Sequence, residues 1–210
     1  LLEHAPEDVV RTYQPDNGAP EFKELAKSSG FELAQAVEAK TGMQKTIRVE
    51  SLAPQTLRLT HTLTNRGLWP VETSAWSLTM LRVGGFSIVP LASKGSHSDN
   101  LLPRFSMVHW AYTDFSLPAW RFFPSFFSID TRKIPAPQKL GITDYPGWAA
   151  YWINGDLFVK TAKVVPGAKY PDNGCVFETF ANPEFTELET LSPLQVLAPV
   201  TRNAGIKDLV

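Results

Sequence analysis

The sequence predicts an all-β protein of mostly antiparallel strands, and three observations carry that expectation. Seventeen prolines are spread along 210 residues, which leaves little room for long helices. From Gln44 onward the apolar positions recur with a period of two. In "TLRLTHTLTNRG", Leu57, Leu59, His61 and Leu63 share one face of an extended segment, and Arg58, Thr60, Thr62 and Thr64 share the other. No regular alternation of strand and helix appears, so a parallel α/β sheet is disfavoured and a sandwich or sandwich-like stack is expected.

Taken in order, "PEFKELAKSSG" (20–30) reads as the one helix, with a proline near its start and Gly30 as its stop. "FELAQAVEAK" fits either helix or strand. Asn65-Arg66-Gly67 closes the first clear strand in a turn, and "LWPVETSAWSLTML" resumes as an extended run. Further strands are expected at "GFSIVPL", "FFSID", "WAAYWI", "LFVKTAKVV", "CVFETF" and "FTELETL". A Pro-Asp-Asn-Gly sequence occurs twice, in "YQPDNG" (13–18) and "YPDNG" (170–174). It is turn chemistry, since Asn and Gly tolerate positive φ. A calcium loop would need more oxygen ligands than one such turn supplies.

The length suits a single β-sandwich domain over 1–210, which would bury roughly 70 % of its unfolded surface, and no low-complexity linker divides the chain. A formal net charge of -1 gives no reason to expect nucleic acid or an anionic membrane as partner. No apolar run approaches the roughly 20 residues a membrane helix needs, so membrane insertion is not expected. Because the chain opens on Leu1, a processed, trimmed or fragmentary form is expected, and cytosol and periplasm stay open. Cys175 stands alone, which excludes an intrachain disulfide and a multi-cysteine zinc site. No two histidines have metal-ligand spacing, and "RVGGFS" lacks the Lys-Ser/Thr ending of a phosphate loop. No metal and no cofactor are therefore expected, and without a Gly-x-Ser-x-Gly elbow neither is a serine hydrolase.

The chemically suggestive stretch is "GCVFETFANPEFTELETLSP" (174–193). Glu178, Glu184, Glu187 and Glu189 interrupt an apolar frame, and no lysine or arginine lies inside it to pair with them. Buried without partners they would be costly, so they either face solvent or line a site. Glu187 and Glu189 share one strand face about 7 Å apart, and like charges so close raise one pKa, which suits a base. Arg104, Lys139 and Lys160 are the cations that could neutralise them or hold a substrate; individually they read as ordinary surface charges. His109, in "MVHWAYTD", sits among aromatics near Asp114 and is the best histidine for proton transfer; its plainer reading is a half-buried ring bonded to backbone. His61 reads as core, His97 as loop and His4 as terminal. Trp110, Trp120, Trp148, Tyr151 and Trp152 could form a carbohydrate platform or fill the core.

"LTHTLTNRGLWPVETSAWSLTML", "NLLPRFSMVHWAYTD", "KLGITDYPGWAAYWINGDLFVK" and "YPDNGCVFETFANPEFTELETLSPL", in that order, together with the opening "HAPEDVVRTYQPDN", resemble an uncharacterised bacterial family of the galactose-mutarotase-like (aldose 1-epimerase-like) superfamily. The resemblance covers most of residues 4–197. It implies a supersandwich of large antiparallel sheets with a sugar-sized cleft on a concave face, lacking the first strands of longer members. After "LQVLAP" the family's Gly-Glu turn is replaced by "VTRNAGIKDLV", which bears on closure of the sheet.

In aldose mutarotases a glutamate in a Leu-Glu-Thr strand takes the anomeric proton while a histidine protonates the ring oxygen. Leu188-Glu189-Thr190 resembles that strand, so Glu189 is the expected base, with Glu187 beside it. Where the acid histidine would stand, this chain has Ser74-Ala75-Trp76. An indole stacks on a pyranose but donates no proton to a ring oxygen, so Trp76 points to sugar holding and leaves His109 as the substitute acid. A mono- or oligosaccharide ligand is expected, at a site drawing on Glu178, Glu187, Glu189, Trp76, Arg104, His109, Trp110, Asp114, Lys139 and Lys160. Two classes follow: an epimerase-like enzyme acting at an anomeric carbon, favoured by the grouped glutamates, or a non-catalytic carbohydrate-binding or accessory module, favoured by Trp76.

Overall fold

Period-two patterning and scattered prolines leave the described residues as strands joined by turns and loops, with almost no helix. The computed structural model describes residues 1–14, 18–26 and 29–200 and holds sixteen strands among them. The Pro-Asp-Asn part of the first PDNG turn (15–17) and the tail from 201 lie outside the described residues, so that turn and the closure after "LQVLAP" are not part of the description. The chain divides into two compact units, one formed by Leu2–Ser77 with the segment that starts at Ser192, the other by Leu1 with Leu78–Leu191.

The first of these carries β1 (Leu2–Ala5), β2 (Glu21–Glu24), β3 (Gly30–Ala34), β4 (Met43–Ala53), β5 (Thr56–Asn65) and the start of β6 (Val71–Arg82). An antiparallel sheet runs in the order β2-β3-β4-β5, and β1 pairs with β6, placing Glu3 opposite Trp76. The helix expected over 20–30 is corrected: Glu21–Glu24 is a strand paired with β3. The Phe22 ring stacks on Phe31 at 5.6 Å across the pair, a contact between strands that local helix propensity does not register. Gly30 opens β3 rather than stopping a helix, and a Cβ there would lie 2.1 Å from the Val49 carbonyl oxygen. On β5 the leucine face is buried only toward Leu63; Leu57 and Leu59 are exposed. Asn65 closes the predicted turn, accepting the Gly67 N–H at 2.9 Å and donating to the carbonyls of Trp69 and Leu197.

The second unit carries β7 (Phe86–Pro90), β8 (Met107–His109), β9 (Trp120–Phe122), β10 (Phe126–Asp130), β11 (Gln138–Ile142), β12 (Trp148–Ile153), β13 (Asp156–Thr161), β14 (Phe177–Ala181) and β15 (Phe185–Leu191). A last strand, β16 (Gln195–Leu197), belongs to the first unit and pairs with β6. In the second unit one sheet runs β15-β14-β11-β8 and another β13-β12-β7-β10-β9, every pair antiparallel. Leu140, Ile142, Phe177 and Leu188 from the first sheet pack with Val89, Phe127, Ile129 and Tyr151 from the second. This is a β-sandwich core, as the period-two pattern predicted. The Tyr151 hydroxyl is satisfied inside it, donating to the Arg82 carbonyl at 2.8 Å and accepting from the Gly85 N–H at 3.0 Å.

Candidate functional site

Alternation along β14 and β15 decides where the glutamates go. Phe177, Thr179 and Leu188 point into the sandwich, so Glu178, Glu187 and Glu189 take the other face of the same sheet. Register sets Glu178 opposite Glu189 on one side and Gly141 on the other, and sets Phe180 between Glu187 and Lys139. Lys139, from β11, supplies the cation that the glutamate stretch itself lacks. Its Nζ lies 2.8 Å from Glu178 Oε2 and 2.9 Å from Glu189 Oε2. Lys139, Glu178 and Glu189 are 3 %, 1 % and 0 % exposed, so the trio is dry. The Trp110 ring lies 4.7 Å from the Lys139 ammonium, a cation–π contact on its remaining side.

One ammonium between two carboxyls leaves one charge too many. Burial pushes the Glu178 carboxyl well above its ordinary 4.5; Lys139 pulls it down, and Glu189 and Asp172 push it further up. Burial thus favours the protonated form of Glu178, with Lys139 placed between its carboxyl and that of Glu189. Burial alone would lower Lys139, but Glu189 and Glu178 outweigh it and raise the ammonium pKa. Glu178 Oε1 has no hydrogen-bond partner among the described residues. Lys160 reaches β15 from the other sheet and donates to the Leu188 carbonyl at 2.9 Å. Burial draws its ammonium down to about 7 against the opposing pull of Glu189 and Glu187.

Two neighbours close the floor. Gly141, facing Glu178, exists because Cys175 occupies its space: a Cβ there would lie 2.5 Å from Sγ. Burial pushes the Cys175 thiol up, which keeps it protonated and packed as a small hydrophobe. Cys175 is delivered by the turn Pro171–Gly174, in which Asp172 (φ 50°), Asn173 (φ 60°) and Gly174 (φ 93°) are all left-handed. The second PDNG is thus the turn expected from its residue types.

The structure brings together Glu178, Glu189, Lys139 and Trp110, with Glu187 buried on the same face of β15, while Lys160 meets the Leu188 carbonyl from the other sheet. It does not bring His109 to this group. His109 is opposite Leu140 in register, on the other face from Lys139, and is exposed with its ring edge-on to Phe115 at 5.6 Å. Asp114 is exposed and occupied by the Ser116 N–H and hydroxyl at 2.8 and 2.6 Å, which hold it below its usual range. Arg104 is exposed and lies 3.7 Å from Asp144. Trp76 belongs to the first unit, buried opposite Glu3. Of the other aromatics, Trp120 is buried and donates to Gln138 Oε1 at 3.3 Å, Tyr151 is core, and Trp148 and Trp152 are exposed. Gly141, Cys175 and Asp172 were not foreseen as parts of the site; the YPDNG turn just before the glutamates was the available signal.

Among the described residues, no group of three or more His, Cys, Asp or Glu side chains is arranged to hold a metal ion. Among the same residues no helix is long and apolar enough to cross a membrane. Comparison of the chain with protein-family models, curated proteins and solved structures finds no match. Fold and side chains define the class as an all-β sandwich protein with a dry lysine–glutamate cluster on one sheet face.

Proposed function

We propose that the chain recognises a carbohydrate and that Glu178, Glu189 and Lys139 form the polar centre of its site. The observation that carries this reading is the pairing of Glu178 with Glu189 around one lysine. Two carboxyls in one dry patch, with burial favouring the protonated form of Glu178, place an acid and a base side by side. In the catalytic version Glu189 takes the proton from the anomeric hydroxyl while Glu178 gives its proton to the ring oxygen. The bond from the anomeric carbon to the ring oxygen breaks, the aldehyde carbon turns, and the reverse transfers close the other anomer. Glu178 would thus do the work that the resemblance gives to a histidine. Trp110, partly exposed at the margin of the cluster, offers a face on which a sugar can stack.

A second reading is favoured by the near-complete burial of Glu178 and Glu189: the cluster holds the register of β11, β14 and β15, and the protein is a non-catalytic carbohydrate-binding or accessory module. Polarimetry on freshly dissolved α-glucose and α-galactose separates the two. The catalytic reading expects acceleration of anomerisation that falls at least about a hundredfold in Glu189→Gln and Glu178→Gln. Absence of acceleration, with a sugar still raising the melting temperature, leaves the binding module; absence of both defeats the carbohydrate reading.

A further inference from the structure

The unit formed by Leu2–Ser77 and the segment from Ser192 holds a cavity that plays no part in the site above. We propose that this cavity binds the oxyanion group, carboxylate or phosphate, of a small molecule no larger than a monosaccharide. Its volume is about 330 Å³, at the small end of the range for small-molecule sites. His4, Arg11, Lys40 and Thr41 line it together with the apolar Met43 and Val71.

The donors point to an anion. Arg11 Nη2 donates to the Pro6 carbonyl at 3.0 Å, while its Nε is buried with no partner among the described residues. A desolvated guanidinium N–H left unmatched is costly, and a carboxylate or phosphate oxygen is the acceptor that suits it best. Lys40 adds a second cation at the exposed rim. The acids nearby are already engaged. The Asp8 carboxylate accepts the N–H groups of Val10 and Arg11 at 3.0 and 2.8 Å. Glu38 is held by His4 Nε2 at 3.2 Å, by the Thr41 hydroxyl and by Lys45 at 3.0 Å, and Lys45 also binds Glu3 at 2.6 Å. Those bonds lock His4, only 2 % exposed, as a rigid wall. A bare hydrated ion would leave Met43 and Val71 unused, so the fitting ligand is a small organic acid or phosphate ester.

The test is calorimetric titration with inorganic phosphate, glucuronate, glucose 6-phosphate and, as neutral control, glucose. It is run on the whole chain and on Arg11→Gln, Lys40→Gln and, as a charge-loss control, Lys163→Gln, an exposed lysine outside the cavity lining. The expected result is binding of glucuronate or glucose 6-phosphate, weakened about tenfold or more in Arg11→Gln and in Lys40→Gln, and unchanged in Lys163→Gln, which separates loss of a cavity donor from loss of surface charge. Lys40 is exposed, so its variant folds and keeps the test decisive if Arg11→Gln does not. No binding of either organic anion at millimolar concentration overturns the proposal. So does equal affinity in Lys40→Gln, or competition by glucose at the same concentration.

Discussion

At Lys139 a single ammonium faces two carboxyls across 2.8 and 2.9 Å with almost no water in reach. Ion pairs at the surface add little, but removing the partner from a buried one leaves a charge with neither solvent nor counter-ion. Lys139→Met should therefore cost about 3–5 kcal/mol in urea unfolding at pH 7, and adding Glu189→Gln should return part of that loss. A cost below about 1 kcal/mol, as for an exposed pair, would mean that water reaches the cluster. Lys160, on β13, reaches the Leu188 carbonyl of β15, and burial draws its ammonium down to about 7.

Among the elements, β11 is the one whose packing is least forgiving. Gly141 admits no Cβ because Cys175 Sγ would be 2.5 Å away, with the Glu178 side chain at 3.3 Å. Gly141→Ala should cost about 1–3 kcal/mol by overpacking, and Cys175→Ala in the same chain should recover most of it. A double-mutant cycle in thermal or urea unfolding measures that coupling, and independent effects would show the contact to be slack. Much at this scale was legible in the sequence. "FFSID", "WAAYWI" and "FTELETL" coincide with β10, β12 and β15, because alternation reports a strand with one buried face without knowledge of its neighbours. What stayed hidden depends on non-local partners. β2 was mistaken for helix because its stabilising contact is Phe31, on the next strand. Lys139 read as a surface residue because both its carboxylates come from later strands. Glu187 and Glu189, two apart on one strand, drew attention as the like-charged pair; the pair that shares Lys139 is Glu178 and Glu189, directly opposite across a ladder, where side chains come closer.

For the whole molecule these groups set the pH dependence of stability, and the signs differ. Burial would raise Glu38, yet His4, Thr41 and Lys45 hold it down to about 2 against an ordinary 4.5. Its folded-state pKa is depressed, so its contribution is present above pH 4.5 and is lost as pH falls toward 2, amounting to about 3 kcal/mol at most. Glu178 works in the other direction. Its raised pKa means the folded chain keeps a proton that the unfolded chain releases above pH 4.5, so stability drains as pH rises from there. Urea unfolding from pH 2 to 9 should show Glu38→Gln flattening the acid limb and Glu178→Gln flattening the neutral-to-alkaline decline. Profiles parallel to the parent in both variants would contradict the assignments.

The most direct measurement concerns one proton. Infrared difference spectroscopy at pH 7, parent minus Glu178→Gln, should show the C=O stretch of a protonated carboxylic acid that belongs to Glu178 and persists in Glu189→Asp. If the parent shows only carboxylate bands at that pH, Glu178 is ionised, the cluster holds no proton to give, and the acid–base reading of the site is contradicted.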